Sequence, residues 1–239
     1  MHSNTAWFPG IAPGATGGRR STDRTYRFRA QQLKAERIVA SSARGPFRRE
    51  QMRQDRIMRR SRVHVLGASG SGTTALGRAL ADCWSVPHAD ADDYFWVPTS
   101  PPFVQKRSED ARLALMRDVF VPREAWVLSG SVSGWGDSVV AECDAVVFLT
   151  LDPEERLRRL ESREARRRAG MGFDEVAWSE FRDWASRYDD PSFDGRSRVT
   201  HEAWLNQLDR PVLRLDSARP VQELRDAVLS WEPRSFPRA

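Results

Sequence analysis

The stretch Val63-His-Val-Leu-Gly-Ala-Ser-Gly-Ser-Gly-Thr-Thr-Ala-Leu-Gly77 decides the fold of this chain. Its apolar start predicts a buried strand, its glycines predict a tight turn, and Thr73 opens a predicted helix. Gly67, Gly70 and Gly72 let the backbone turn so that consecutive N–H groups point into one cavity. Together with the positive end of the helix dipole, those N–H groups form a binding site for phosphate.

The spacing Gly67-x-x-x-x-Gly72-x-Thr74 is that of a P-loop, G-x-x-x-x-G-K-[ST], with one departure. Thr73 stands where the pattern has lysine, so the loop lacks the charge that contacts the β- and γ-phosphates. Thr74 holds the position whose hydroxyl binds Mg²⁺. We therefore predict a nucleoside triphosphate site with the metal at Thr74. Its residues are Gly67, Ala68, Ser69, Gly70, Ser71, Gly72, Thr73 and Thr74.

The 239 residues suffice for one domain with a tail. No apolar run approaches the roughly 18 to 20 residues of a membrane span, and the N-terminus lacks the pattern of a signal peptide. These features predict a cytoplasmic protein without a membrane partner. The net charge of +5 is unevenly placed, because residues 1–61 carry 14 basic and 4 acidic side chains, whereas residues 62–239 carry 24 and 29. Nucleic acid is therefore not an expected partner of the main domain.

Composition divides the chain into three parts. Residues 1–60 combine a Gly/Pro/Ser/Thr-rich opening with an arginine-rich stretch, and predict a disordered basic extension. Because Met52 and Met58 both precede the first strand, a start assigned too far upstream is a second interpretation, and an arm that binds nucleic acid is a third. Residues 62–232 form the predicted domain, and residues 233–239 form a tail.

Strand and helix patterns alternate from residue 62 onward. Such repeated units predict a three-layer α/β/α fold, in which a parallel sheet of about five strands carries helices on both faces. The predicted strands are Arg62–Leu66, Val86–Ala89, Trp126–Ser129, Ala145–Leu151 and Pro211–Leu215. The predicted helices span residues 73–84, 108–121, 152–168, 174–188, 198–208 and 220–231.

In such a fold, ligands bind at the carboxyl ends of the strands. Asp90, Asp92 and Asp93 follow the second strand, and a dense run of arginines, 163–168, ends the helix after the fourth strand. The aspartates are candidates for acid–base chemistry, and the arginines are candidates for neutralising phosphate charge. A solvated loop with a helix cap remains an alternative for the aspartates. The charged face of an exposed helix remains an alternative for the arginines.

These features, in this order, resemble the nucleoside/nucleotide kinase branch of the P-loop NTPases, which includes adenylate, shikimate, gluconate and uridine kinases. The resemblance runs from Val63 to Trp231. It implies the P-loop NTPase fold, ATP or another nucleoside triphosphate with Mg²⁺, and a small-molecule acceptor. It also implies that Asp90, Asp92 and Asp93 position or deprotonate the acceptor hydroxyl. The arginines match a lid that closes over the phosphates in that group, and they are Arg163, Arg166, Arg167 and Arg168.

Two positions depart from the pattern of that group. Thr73 replaces the phosphate lysine, and Ser129-Gly130 stands where an aspartate often follows the third strand. A cation from elsewhere would have to replace the lysine. Lys106, the single lysine of the predicted domain, is the predicted catalytic replacement, and Arg107 and Arg78 are further candidates.

Two other functions stay open at this point. A nucleotide-binding protein without phosphoryl transfer would keep the loop and lose the lysine. A Rossmann turn that binds NAD(P) would use Gly67-x-x-Gly70, with Asp90 on the ribose, although the third glycine is missing.

Several further side chains have predicted places in the fold. His64 and His201 are expected to be structural. The aromatic residues Phe173, Trp178, Phe181 and Trp184 have helical spacing and are expected in the core, and Arg187–Asp190 is a candidate to face the substrate.

Overall fold

The computed structural model of the chain describes residues 58–100, 102–168 and 174–232. The predicted tail, residues 233–239, lies outside the described residues. So does the predicted N-terminal extension, except for its last three residues, 58–60. Met58 is buried, and its backbone N–H donates to the carbonyl of Leu229 at 3.0 Å. The folded domain therefore begins no later than Met58, earlier than the predicted boundary at Arg62.

Five parallel strands form one sheet in the order β2-β3-β1-β4-β5. This arrangement confirms the predicted α/β fold class. The strands are β1 (Arg62–Gly67), β2 (His88–Asp90), β3 (Trp126–Ser129), β4 (Ala145–Thr150) and β5 (Val212–Asp216). Because β3 rather than β2 lies beside β1, the strand order differs from the Rossmann order, in which β2 and β1 are neighbours. The sheet is therefore not a Rossmann sheet, and the fold gives the NAD(P)-binding interpretation no support.

Helices alternate with the strands along the chain. They are α1 (Thr73–Trp84), α2 (Ala91–Phe95), α3 (Glu109–Val119), α4 (Asp137–Val140), α5 (Pro153–Arg168), α6 (Glu175–Ser186), α7 (Arg198–Leu205) and α8 (Val221–Leu229), with a 3₁₀ helix at Arg187–Asp189. The short helices α2 and α4 were not predicted. Asp90 caps α2 by accepting the N–H of Asp92 at 3.2 Å, so a cap and a candidate site share the same carboxylate. In the described part of the chain, no helix has the length and apolar character needed to cross a membrane.

The two faces of the sheet carry separate hydrophobic cores. Val63 and Val65 of β1 pack with residues of α1 and α8 on one face. Leu66 of β1 and Phe148 of β4 pack with residues of α2, α3, α4 and α7 on the other face. Successive side chains of one strand thus enter opposite cores, as expected for a central strand that is covered on both sides. The result is a three-layer α/β/α architecture.

The aromatic stripe of α6 lies outside both cores. The rings of Trp178 and Phe181 are 5.9 Å apart and those of Phe181 and Trp184 are 6.0 Å apart, but all three residues are only half-buried. They are absent from both core clusters because α6 packs on α5 and the 3₁₀ helix rather than on the sheet. The prediction that these residues belong to the core is therefore wrong for the described ones, and Phe173 lies outside the described residues.

His64 is completely buried in β1, as predicted for a structural histidine. Its Nε2 lies 2.7 Å from the carbonyl oxygen of Gly130, so Nε2 carries the proton and donates it. Its Nδ1 is buried without a partner among the described residues. A second proton would have to be placed on that unpartnered nitrogen, and burial accordingly lowers the pKa of His64 to about 4.

We expect His64 to make the fold sensitive to acid. The unfolded histidine titrates near pH 6.5 and the folded one near pH 4, so the stabilisation is complete above about pH 6.5 and is lost as the pH falls towards 4. Between about pH 6.5 and pH 5 the loss from this residue is about 2 kcal/mol. Denaturant unfolding at about pH 7.5 and pH 5 should show a smaller pH difference for His64→Gln, whose amide can donate to the Gly130 carbonyl but cannot titrate. An equal pH difference in the two proteins would contradict this account.

Candidate functional site

The loop between β1 and α1 turns sharply over the sheet. A Cβ on Gly67 would lie 2.5 Å from Ser71 Oγ and 2.6 Å from the carbonyl oxygen of Leu149, so only glycine fits there. Gly70 and Gly72 adopt φ values of 88° and 89°, which side chains rarely tolerate. Within the described structure, and apart from Gly72 and its two chain neighbours, no atom lies within 4 Å of the position that a Cβ on Gly72 would take, so the loop is open to a ligand at this point.

The start of α1 offers unused hydrogen-bond donors. Gly72 is its N-cap and supplies no side-chain acceptor, so the first N–H groups, from Thr73 and Thr74, lack a partner within the helix. The hydroxyl of Ser71 is also buried without a partner in the described structure. The N–H donors and the positive end of the helix dipole therefore lie beside the open space at Gly72, and this donor set fits a phosphate group.

The ends of the first three strands meet at the carboxylate of Asp90. Thr74 Oγ1 donates to Asp90 Oδ2 at 2.8 Å, and Ser129 Oγ donates to the same oxygen at 3.2 Å. His88 Nε2 lies within hydrogen-bond distance of Ser129 Oγ, at 3.0 Å, and helps to fix the orientation of that hydroxyl. Ser129 stands where the nucleoside/nucleotide kinase pattern often has an aspartate. Here it holds Asp90 beside the loop.

The Thr74 hydroxyl and the Asp90 carboxylate, 2.8 Å apart, are hard oxygen ligands of the kind that Mg²⁺ prefers. Thr74, as predicted for the metal, and Asp90 are the residues that can hold it. Within the described ranges no group of three or more His, Cys, Asp or Glu side chains is arranged to bind a metal ion. A metal at Thr74 and Asp90 therefore fits only if phosphate oxygens and water complete its coordination.

The three predicted aspartates have different surroundings. Desolvation and the neighbouring Asp90 carboxylate raise the pKa of Asp92, while the charges of Arg196 and Arg163 oppose that rise. Asp92 and Asp93 are both exposed at the surface, and the backbone carbonyl of Asp93 accepts a hydrogen bond from Arg107 at 2.8 Å. Asp92 is therefore the carboxylate that faces the arginines, and Asp90 is the one that faces the loop.

Of the predicted lid arginines, the structure brings Arg163 to the carboxylates. Desolvation and the charge of Arg167 lower the pKa of Arg163, and the carboxylates of Asp92 and Asp90 act on it in the opposite direction. Arg167 instead forms a salt bridge of 3.2 Å with Glu164 on its own helix, with half of its side chain exposed.

Lys106 and Arg107 belong to a hairpin rather than to the loop. Trp96 and Lys106 pair as an antiparallel bridge, and the Lys106 ammonium lies 5.9 Å from the ring centres of Phe95 and Trp96. Arg107 donates to the carbonyls of Asp93, Tyr94 and Trp96 and so secures the base of this hairpin. Among the described contacts none joins Lys106 to the phosphate loop, so its catalytic role remains a prediction. Arg78 is exposed on α1, where its charge acts on His88.

Two arginines that the sequence analysis missed converge on Ser69. The guanidinium of Arg156, 1% exposed, donates to the carbonyl oxygens of Ser69 and Ala185 at 3.3 Å and 3.0 Å. It also forms a 3.0 Å salt bridge with Asp189, which pairs in turn with Arg198 at 2.7 Å. Asp189 belongs to the segment flagged in the sequence, but its role is to hold Arg156 rather than to face a substrate.

Arg196 is the second arginine at the loop. Its Nη2 donates to Ser69 Oγ at 2.8 Å, and its guanidinium lies 4.7 Å from the ring centre of Trp184. Neither Arg156 nor Arg196 belongs to a recognisable motif, and they are 87 and 127 residues from Ser69 in sequence. No pattern in the sequence therefore connects them to the loop.

A cavity of about 300 Å³ adjoins the other side of the loop. Ser71 and Gly72 form one wall, and the segment from Ser217 to Val221, which leads from β5 into α8, forms the opposite wall. Arg159 of α5 lines it as well and is held by a 2.9 Å salt bridge to Glu155. The cavity is thus continuous with the donors at the start of α1.

We expect Asp189→Asn to destabilise the domain by about 3 kcal/mol, because Arg156 would keep its buried charge and lose its ionic partner. Asp190→Asn is the matched control, since the adjacent Asp190 accepts from Ser192 at the surface and should matter much less. Denaturant unfolding of both variants provides the comparison. Equal losses in the two variants would show that the Arg156–Asp189 pair does not stabilise the fold.

The chain was also compared with known proteins. No protein-family model matches it. Among solved structures it is similar to a gluconokinase from Sinorhizobium meliloti 1021, with 19% identity, a TM-score of 0.44, and coverage of 72% of this chain and 92% of that one. It is also similar to a shikimate kinase from Bacteroides thetaiotaomicron, with 17% identity, a TM-score of 0.43, and coverage of 70% and 97%.

The curated proteins contain a relative with much higher identity. The uncharacterized protein YqaC of Bacillus subtilis (strain 168) is 39% identical over 173 residues, which cover 71% of this chain and 96% of YqaC. A match of this identity over almost all of the relative indicates common descent. The chain therefore belongs to the same protein family as YqaC.

Proposed function

We propose that this protein is a small-molecule kinase, which transfers the γ-phosphoryl group of ATP or another nucleoside triphosphate to a hydroxyl or phosphate group of a small acceptor. One observation carries the proposal. Thr74 and Asp90 are joined at 2.8 Å directly beside an uncapped helix start with open space above it. Phosphoryl transfer depends mainly on positioning and on neutralising charge, and these groups supply both.

The phosphates of the nucleotide fit the loop Gly67–Thr74, whose free donors face one space. The nucleoside fits the adjoining cavity, where Pro220 and the guanidinium of Arg159 offer flat surfaces for a base. Thr74 and Asp90 would hold Mg²⁺, which supplies charge neutralisation at the phosphate oxygens when bound. In this arrangement the terminal phosphate would lie towards Asp92 and Arg163.

The acceptor fits on the side of Asp92. Asp90 is engaged by Thr74 and Ser129, whereas the Asp92 side chain forms no hydrogen bond or salt bridge within the described structure. Its raised pKa makes the ionised form a better proton acceptor than an ordinary aspartate. We assign Asp92 as the general base for the acceptor group, and Arg163 as a cation that offsets the charge developing on the phosphates.

The second candidate function is nucleotide binding without transfer. Thr73 favours it, because the missing lysine removes one stabiliser of the transition state. Both functions predict binding of a nucleoside triphosphate, so binding alone does not separate them.

The test is acceptor-dependent release of ADP by the full-length protein with ATP and Mg²⁺. Sugar acids, polyols, nucleosides and nucleoside monophosphates are screened in turn with a coupled assay. ADP release that needs one acceptor class supports the kinase. Tight binding of ATP with no ADP release for any of these acceptors favours the second function, and no binding of any nucleoside triphosphate contradicts both.

We expect Asp92→Asn to lower kcat by about 100- to 10,000-fold, the usual contribution of a general base, with little change in nucleotide affinity. Asp93→Asn is the matched control, since Asp93 is the adjacent carboxylate but the charges of Arg163 and Arg196 interact with Asp92, so this variant should change kcat little. With the wild-type protein, kcat/KM should rise with pH through the pKa of Asp92, and that pKa lies above the ordinary aspartate value. If the two variants lose the same activity, the assignment of Asp92 is wrong.

A further inference from the structure

A cation is missing from the loop at Thr73, and the arginines nearest the loop differ in their freedom to replace it. Arg156 is not available to a ligand, because its two terminal nitrogens already donate hydrogen bonds to Ser69, Ala185 and Asp189. Arg159, on the cavity side, is paired with Glu155. Among the described arginines that contact the loop or line the adjoining cavity, Arg196 forms no salt bridge and is available to a ligand.

The charge of Arg196 is held at the loop without a salt-bridge partner among the described residues. Its contact with Ser69 Oγ, at 2.8 Å, pairs a full charge with a neutral hydroxyl. Its Nε is buried and has no hydrogen-bond partner in the described structure. Burial lowers the pKa of Arg196, and the Asp92 carboxylate only partly offsets that effect. A phosphate oxygen is a stronger acceptor than a hydroxyl and would satisfy this cation.

The segment that carries Arg196 is well defined. The guanidinium stacks over Trp184, and the next residue, Ser197, is the N-cap of α7 in a capping box with Thr200. Gly195 packs so closely on the ring of Phe193 that a Cβ would lie 2.5 Å from it. Arg196 is therefore fixed from both sides before any ligand binds, which lowers the entropic cost of using it.

We infer that Arg196 supplies the positive charge that position 73 lacks, and that it contacts the terminal phosphates of a nucleoside triphosphate bound in the loop. The inference rests on the proposed nucleotide site. It accounts for a loop that keeps its glycines and its threonine but not its lysine, since the guanidinium of Arg196 would supply the charge that the lysine supplies in the ordinary pattern.

The test compares the affinities of ATP and AMP for the full-length protein by calorimetry in excess Mg²⁺. For Arg196→Gln we expect ATP to bind about 10- to 100-fold more weakly, the usual effect of losing a charged hydrogen bond, and AMP to bind almost unchanged. Arg182→Gln is the matched control, because Arg182 is a partly exposed arginine that pairs with Glu161. This control should bind both nucleotides like the wild type.

A rescue variant separates a direct role of Arg196 from a structural one. Thr73→Lys added to Arg196→Gln should restore at least about tenfold of the lost ATP affinity, because the ordinary P-loop cation then replaces the arginine. The same substitution in the wild type should gain less. If Arg196→Gln does not fold, Arg196→Met keeps the contact with Trp184 without burying a charge and takes its place.

The outcomes separate the two proposals. Wild-type protein that binds ATP, together with an Arg196 variant that binds it equally well, would overturn the inference and leave the nucleotide site intact. Loss of ATP affinity that Thr73→Lys does not restore would also overturn it. Wild-type protein that does not bind ATP at all would contradict the proposed function itself.

Discussion

The geometry of the site depends on the hydrogen bonds and the salt bridge of the buried Arg156 guanidinium. This guanidinium joins the carbonyl of Ser69 in the loop to Ala185 at the end of α6 and to Asp189 in the 3₁₀ helix. A buried charge is costly without partners, so these three contacts hold Ser69, Ala185 and Asp189 in place relative to one another. The segment that follows delivers Arg196 to the same serine. The contacts of Arg156 thereby help to position the charge of Arg196 beside the loop.

Around that contact, each strand end contributes a different chemical group. The end of β1 provides backbone donors, the end of β2 provides Asp90 and Asp92, and Ser129 of β3 fixes the orientation of Asp90. The histidines in the interior stay neutral, because burial lowers the pKa of His64 and of His201. The charges of the site are thus concentrated at one edge of an otherwise uncharged sheet interior, where a polyanionic ligand is favoured.

The sequence predicted the sheet and the main helices because each has a strong local signal. Trp126–Ser129 and Thr73–Trp84 have the predicted bounds, since apolar runs and glycine turns are local features. The sequence predicted that Thr74 and Asp90 lie at the same edge of the sheet, but it did not predict the hydrogen bond between them. The arginines of the loop did not follow, because nothing in the local sequence relates Arg196 to Ser69. The prediction that the aromatic stripe of α6 belongs to the core was wrong for a related reason. Periodicity shows that a helix face is apolar, but it does not show what covers that face.

The central claim is that the loop from Gly67 to Thr74 holds the phosphates of a nucleotide although it lacks the lysine. A crystal structure of the full-length protein with Mg²⁺ and a non-hydrolysable ATP analogue tests it most directly. The account predicts that the phosphates lie against the N–H groups of Thr73 and Thr74, with the metal between Thr74 and Asp90. A nucleotide bound elsewhere, or a loop that stays empty at saturating analogue, would contradict it.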